Sequence, residues 1–270
     1  MVTLPSPPPD DTPHRHRRIA ESFGADADRY DRARPRYPRR LADAVLAGLP
    51  GRRVLDVGIG TGISALPFRE AGADVFGVEA DPRMAELARS RGFEVEVSRL
   101  EDWKSGGRLF DAVTAGQTWH WIDPVAGAAK AASLLRPGGR LALFWNVGDP
   151  DPRIASAFAD VYRSVDTRLP FTPWASPALG GFDPITANAT EGIRGTEAFT
   201  APERLRFDWR TTITREAWLD QVPTMGGHNR IPGGGLAELL DGLGRVIDDH
   251  GGSFSMHYAT IAITADRTRT

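Results

Sequence analysis

An apolar run, Val54-Leu55-Asp56-Val57, stops at Gly58 and gives way to glycines at alternate positions, Gly58, Gly60 and Gly62. No other stretch restricts the fold of this chain as much. Glycine is needed where backbone must turn through unusual angles or let a ligand come close. A buried strand that turns through such a loop into a helix places bare backbone and free helix N–H groups at one spot. The spacing is informative. A dinucleotide-binding turn needs G-x-G-x-x-G, but Ile63 stands where the third glycine belongs. Taken alone, the loop is also compatible with an ordinary tight strand-to-helix turn.

The flanking sequence alternates strand and helix. Strands are expected at 53–57, 74–79, 93–97, 110–115 and 140–145, with helices at about 63–71, 82–91 and 124–135. Asp81 suits an N-cap and Pro82 the first helical position. After Asn146 the rhythm breaks. Residues 147–201 read as an insertion with one helix, 153–165, followed by a Pro/Gly/aromatic-rich stretch. A strand at 204–212, helices at 215–221 and 236–249, and a final strand at 254–264 complete the chain. The expectation is a doubly wound, Rossmann-like α/β fold. Its seven-stranded sheet is mostly parallel, with the last strand antiparallel at or near an edge and helices on both faces.

Residues 1–13 carry five prolines and read as a disordered tail. Residues 14–50 read as an N-terminal helical lid of two segments. Ile19 and Phe23 would anchor the first; Leu41, Val45, Leu46 and Leu49 give the second an apolar face. Residues 51–146 form the ligand-binding core, 147–201 a cap over a substrate, and 202–270 the rest of the same α/β domain.

Composition narrows the function classes. With 270 residues, 41% hydrophobic content and a net charge of −2, the chain reads as a soluble globular protein with no broad affinity for nucleic acid or anionic membrane. The absence of cysteine excludes disulfides, thiolate catalysis and Cys-ligated zinc, and no metal is expected. No apolar run nears the roughly 20 residues of a membrane span. A cytoplasmic protein is expected, monomeric or homodimeric. Lys104 and Lys130 are the only lysines, an arginine bias consistent with a high-GC bacterial source.

In an open α/β sheet, ligands bind beyond the carboxyl ends of the strands. The second strand ends in Glu79-Ala80-Asp81, and the Glu79 carboxylate could accept both hydroxyls of a ribose. Its alternative is a solvated strand-end charge. The third leads to Leu100-Glu101-Asp102, where an acidic group could receive an adenine amine; Asp102 is the first choice and Glu101 the second. The fourth leads through Gly116 and Gln117 to Trp119-His120-Trp121. Flat rings here could stack on a ligand or pack in the core. His120 could serve as a general base or make a structural hydrogen bond.

These motifs occur together in family order: Asp56 to Gly62, Glu79-Ala80-Asp81, Leu100 to Trp103, Phe110-Asp111-Ala112-Val113, Trp119-His120-Trp121 and Leu134-Leu135-Arg136-Pro137-Gly138-Gly139. In this the chain resembles the class I S-adenosylmethionine-dependent methyltransferases. The His-Trp turn and the segment Tyr30 to Pro38 are similar to a small-molecule branch that includes trans-aconitate and menaquinone-biosynthesis methyltransferases. The likeness covers residues 20–146 well and weakens beyond.

The resemblance implies roles. Gly58, Gly60 and Gly62 would approach the methionine part of S-adenosylmethionine. Asp56 would organise the loop or meet the amino group through water. Glu79 and Ala80 would hold the ribose; Leu100, Glu101 and Asp102 would frame adenine; Gly116 and Gln117 would flank the methionyl end. Tyr30 and one of Arg32, Arg34 or Arg36, with Arg34 favoured, would close over the cofactor, unless these arginines belong to a solvated helix. The acceptor, a small apolar or aromatic metabolite, would lie among Trp119, Trp121, Trp145, Asn146 and Trp174. Phe158, Tyr162, Phe171 and Phe182 of the insertion would add to that wall. The other readings are a protein of this fold that transfers no methyl group, such as a cyclase or regulator, and a nicotinamide-dependent oxidoreductase.

Overall fold

The computed structural model describes residue 24 and residues 26–269. The expected tail and the anchors Ile19 and Phe23 lie outside the described residues. The strands are β1 (Arg53–Val57), β2 (Asp74–Glu79), β3 (Glu94–Val97), β4 (Phe110–Gly116), β5 (Leu135–Pro150), β6 (Glu203–Thr214) and β7 (Ser253–Asp266). They form one seven-stranded sheet in the order β3-β2-β1-β4-β5-β7-β6. Neighbours from β3 to β5 pair in parallel. β7 runs antiparallel to both β5 and β6. The last strand is therefore the antiparallel one, as expected, one place in from the edge.

The order reverses between β1 and β4, because the chain adds β2 and β3 on one side before crossing to the other. That reversal opens a crevice at the strand ends. β1 reads as a near-continuous apolar run because Val54 and Leu55 are fully buried between helical layers.

The helices are α1 (Ala27–Ala33), α2 (Arg39–Leu46), α3 (Leu66–Glu70), α4 (Pro82–Ser90), α5 (Pro124–Leu134), α6 (Pro152–Ser164), α7 (Ala178–Arg194), α8 (Arg215–Gln221) and α9 (Gly235–Asp249). On one face of the sheet Leu41, Val45, Phe68, Ala85 and Phe93 pack over Phe144. On the other, Ala128, Ala131 and Ile193 cover Phe110, Leu143 and Trp145. A third apolar cluster joins α6, α8 and α9 to β6 and β7 around Phe158, Trp218 and Phe254. Asp81 caps α4, its carboxylate accepting from the Arg83 N–H, with Pro82 in the first turn.

Two expectations are corrected. The helix after the glycine loop begins only at Leu66, because residues 61–65 remain in turns. The second concerns the insertion, whose glycine- and proline-rich half holds the 17-residue helix α7 with Pro184 inside it. An interior proline removes one helical hydrogen bond at a cost of about 3 kcal/mol. Burial offsets that loss: Thr186, Ala189, Gly192 and Ile193 form a buried stripe. A Cβ at Gly192 would stand 2.5 Å from the Pro124 carbonyl oxygen, so glycine lets α7 seat against the start of α5.

Candidate active site

The crevice at the strand ends holds a cleft with about 1140 Å³ of empty space, its open mouth included. Its walls come from the glycine loop, the ends of β2, β4 and β5, the loop after β3, and the lid segment following α1.

Gly58 (φ +63°), Gly60 (φ +58°) and Gly62 (φ +94°) all lie in the left-handed region, where a side chain is disfavoured. A Cβ at Gly58 would fall 2.3 Å from Thr118 Cγ2, and one at Gly62 would fall 2.6 Å from Phe93 Cε2. Gly58 and Gly60 face the cleft, whereas Gly62 serves the packing of Phe93. The loop offers bare surface, but its donors are engaged. The Gly58 and Ile59 N–H groups both donate to the Val78 carbonyl, at 2.7 and 3.3 Å, and Gly62 donates to the Ile59 carbonyl at 2.9 Å.

Glu79 completes the floor. Its Oε2 accepts from the Gly60 N–H and its Oε1 from the Asp81 N–H, both at 2.8 Å. Burial pushes its pKa up, and the N–H groups of Asp81, Gly60 and Ala80 act against that rise. Each carboxylate oxygen keeps a lone pair for a ligand hydroxyl.

Asp56 lies beneath the loop, fully buried. It accepts from Ser64 Oγ at 2.5 Å and from Thr114 Oγ1 at 2.7 Å. Burial raises its pKa to about 7, against these two hydrogen bonds. It ties the loop to β4 rather than lining the cleft.

After β3 the wall consists of Ser98, Arg99, Leu100 and Glu101. Asp102, the first choice from sequence, is exposed and off the wall; the loop presents Glu101 instead. After β4, Gln117 adopts φ +54°. Its N–H donates to the Phe144 carbonyl at 2.9 Å and its side-chain amide to the Asn146 carbonyl at 3.0 Å. Asn146 donates to the Arg36 carbonyl at 3.2 Å and accepts from Thr260 Oγ1 at 2.6 Å, joining the lid to β7.

Residues 119–121 form one turn of 3₁₀-helix, which sends successive side chains about 120° apart. Trp119 enters the core, 2% exposed, its indole N–H without a partner among the described residues. Trp121 faces the cleft. His120 lies off its wall, tilted against Trp121 at 4.6 Å. The Trp145 indole N–H donates to His120 Nδ1 at 3.4 Å, which leaves the neutral ring's proton on Nε2. Burial lowers the His120 pKa to about 4. A ring so placed is a weak base.

Trp145 is fully buried in the core below. Trp174 packs 5.7 Å from Phe158 and 5.3 Å from Trp218 in the third cluster. Phe158 and Tyr162 are buried there too, and Phe171 is 66% exposed. Phe182 packs on the core beneath α7. No residue of 147–201 lines the cleft. The insertion's aromatic side chains pack against one another and the sheet instead.

The contacts that fasten the N-terminal segment have no signal in the sequence. Asp31, 3% exposed, accepts from Thr61 Oγ1 at 2.7 Å and from Arg36 at 3.0 Å, and also pairs with Arg91. This clasp binds α1 to the glycine loop. Asp220 of α8 holds Arg29 and Arg32, each at 2.8 Å. Arg34 makes no ion pair among the described residues; its guanidinium lies over the Tyr30 ring at 5.4 Å, and both line the cleft. Met84 and Ile122 also line it; nothing in their local sequence marks them. Among the described residues there is no metal-binding cluster of His, Asp or Glu, and no helix is long and apolar enough to cross a membrane.

Comparison with known proteins gives a consistent result. Residues 30–187 match the family model described as a methyltransferase domain. A demethylmenaquinone methyltransferase of Thermus thermophilus is 34% identical over 197 residues, 68% of this chain and 80% of that one. An uncharacterized methyltransferase of Mycobacterium tuberculosis is 29% identical over 258 residues, 92% of this chain and 97% of the other. Among solved structures, one assigned as a type II methyltransferase from Anaeromyxobacter dehalogenans matches with a TM-score of 0.60 at 22% identity, over 87% of this chain and 97% of that one. This last likeness concerns the fold.

Proposed function

From the premise that this chain belongs to the methyltransferase-domain family, we propose that it transfers a methyl group from S-adenosylmethionine to a small apolar or aromatic metabolite. The observation that carries the reading is Glu79. Its half-buried carboxylate stands at the end of β2, bonded to the Gly60 N–H of the glycine loop, in a cleft at the sheet's switch point. The residues fit the cofactor. Gly58 and Gly60 leave room for the methionine part, Glu79 receives the ribose hydroxyls, Leu100 and Glu101 frame the adenine, and Gly116 and Gln117 flank the methionyl end. Arg32 and Arg36 already hold Asp220 and Asp31, so Arg34, with Tyr30 beside it, is left for the cofactor's carboxylate.

The bound cofactor supplies an electrophilic methyl group on a sulfonium, whose thioether leaves without an acid. The protein's part is then mainly positioning. The lid excludes water, the hydrogen bonds of Gln117 and Asn146 fix the far wall, and His120 stays neutral. The name of the demethylmenaquinone methyltransferase relative favours a phenol-like or quinol-like acceptor. Calorimetric titration with S-adenosylmethionine and with NAD tests the reading. One-to-one binding of the first and none of the second is expected; the reverse would overturn it.

A further inference from the structure

A second, wider groove of about 1800 Å³ lies across the lid segment from the cofactor cleft. Arg34, Pro35 and Tyr37 line both spaces. The floor of the groove is the sheet face near the end of β6. There Trp209 sits directly opposite Tyr258 of β7, their rings stacked at 4.3 Å and 18°. The facing wall is α8, with Ala217 and Gln221.

Hydrogen bonds connect this floor to the cleft. The Trp209 indole N–H donates to Thr260 Oγ1 at 3.0 Å, and Thr260 donates to Asn146 Oδ1 at 2.6 Å. Asn146 lines the cleft. The ring shelf is therefore held rigidly, one hydroxyl away from the cofactor cleft's own wall.

The charges around the groove are largely answered from within. Arg32 is paired with Asp220 and Arg36 with Asp31; Glu216 is exposed and bonded to Thr214. What remains open is flat and apolar, Trp209 backed by the buried Tyr258, with Pro35 and Tyr37, and the hydroxyls of Thr211 and Thr212 are neutral polar handles. Fixed aromatic rings favour a planar partner in offset or edge-on contact; with Arg34 assigned to the cofactor's carboxylate and Glu216 open to solvent, no buried charge is left in the groove for an ion.

We infer that this groove is the acceptor site, and that its occupant is a planar, uncharged aromatic alcohol whose ring lies on Trp209 while its hydroxyl reaches past Pro35 and Tyr37 into the cleft. The inference rests on the cofactor reading above and adds the acceptor's place and class. It assigns β6 and α8, rather than the 147–201 insertion, to acceptor binding.

The test uses the whole chain saturated with S-adenosylhomocysteine, titrated calorimetrically with 1-naphthol and with its saturated, non-planar counterpart 1-decalol. Native protein should bind naphthol and bind decalol about tenfold more weakly or worse. Ala217→Trp and Thr211→Trp, exposed positions that would fill the groove, should each weaken naphthol by about tenfold or more while S-adenosylhomocysteine affinity stays within about twofold. Retained S-adenosylhomocysteine binding shows that the variants fold. No naphthol binding by native protein, equal binding of decalol, or naphthol affinity untouched by both fillings would overturn the groove. Failure of native protein to bind S-adenosylhomocysteine would instead overturn the cofactor reading beneath it.

Discussion

Glu79→Ala is the most informative substitution in the cleft. It removes an acceptor for the backbone N–H groups of Gly60 and Asp81, each held at 2.8 Å, and of Ala80. It also removes the group assigned to the ribose. A hydrogen bond to a charged group contributes about 1.5–3 kcal/mol. Losing the sugar contacts to this carboxylate should then raise the dissociation constant for S-adenosylhomocysteine by about tenfold to a hundredfold. Glu79→Gln keeps the shape and one acceptor oxygen, so its loss should fall near the lower figure. The assay is calorimetric titration, with circular dichroism to confirm the fold. Using the product-like ligand keeps turnover out of the reading. Burial raises the Glu79 pKa, so its removal also relieves an unfavourable buried charge, and thermal stability should fall less than affinity. An affinity within about twofold of native for both variants would remove Glu79 from the sugar site.

The other predictions concern the groups around it. Burial lifts Asp56 from 3.8 to about 7; with the folded pKa above the unfolded one, folding favours the protonated acid, and stability falls as pH rises between those values, by on the order of 4 kcal/mol. Asp56→Asn should flatten that part of the profile in ligand-free denaturant melts at about pH 5 and about pH 8; identical profiles would refute it. With the His120 pKa near 4, the pH–rate profile should show no limb between about pH 6 and pH 8 that disappears in His120→Ala; such a limb would restore His120 as the base. Asp31→Ala removes a buried acceptor shared by Thr61 and the solvent-facing Arg36 and Arg91, so it should destabilise by about 1.5–3 kcal/mol in denaturant melts. Asp220→Ala, which breaks more exposed pairs, should cost under about 1 kcal/mol; equal losses would contradict the lid description.

The sheet and the position of the cleft at its strand ends were largely legible in the sequence because their determinants are local. A fully buried strand such as β1 must be apolar, and a left-handed backbone at Gly58 demands glycine. Glu79 follows from its position at the end of β2. Features that depend on distant packing were not legible. α7 carries three glycines and Pro184, signals that argue against a helix, and only its seat on α5 makes it one. Asp31 reads as one more charge in an arginine-rich segment until Thr61 and Arg91 come beside it. Trp119 and Trp121 are alike in sequence, and the 3₁₀ turn alone separates core from cleft. The aromatic residues of 147–201 suggested a substrate wall, but a wall and a small core share the same composition. The stacked Trp209 and Tyr258 lie 49 residues apart, joined only by the register of β6 with β7.

A crystal structure of the complex with S-adenosylhomocysteine tests the site most directly. The expected result is a ribose whose two hydroxyls lie within hydrogen-bonding distance of the Glu79 carboxylate, with the adenine against Leu100 and Glu101 and the carboxylate of the ligand beside Arg34. A nucleoside bound elsewhere, or one in the cleft with its sugar turned away from Glu79, would contradict it.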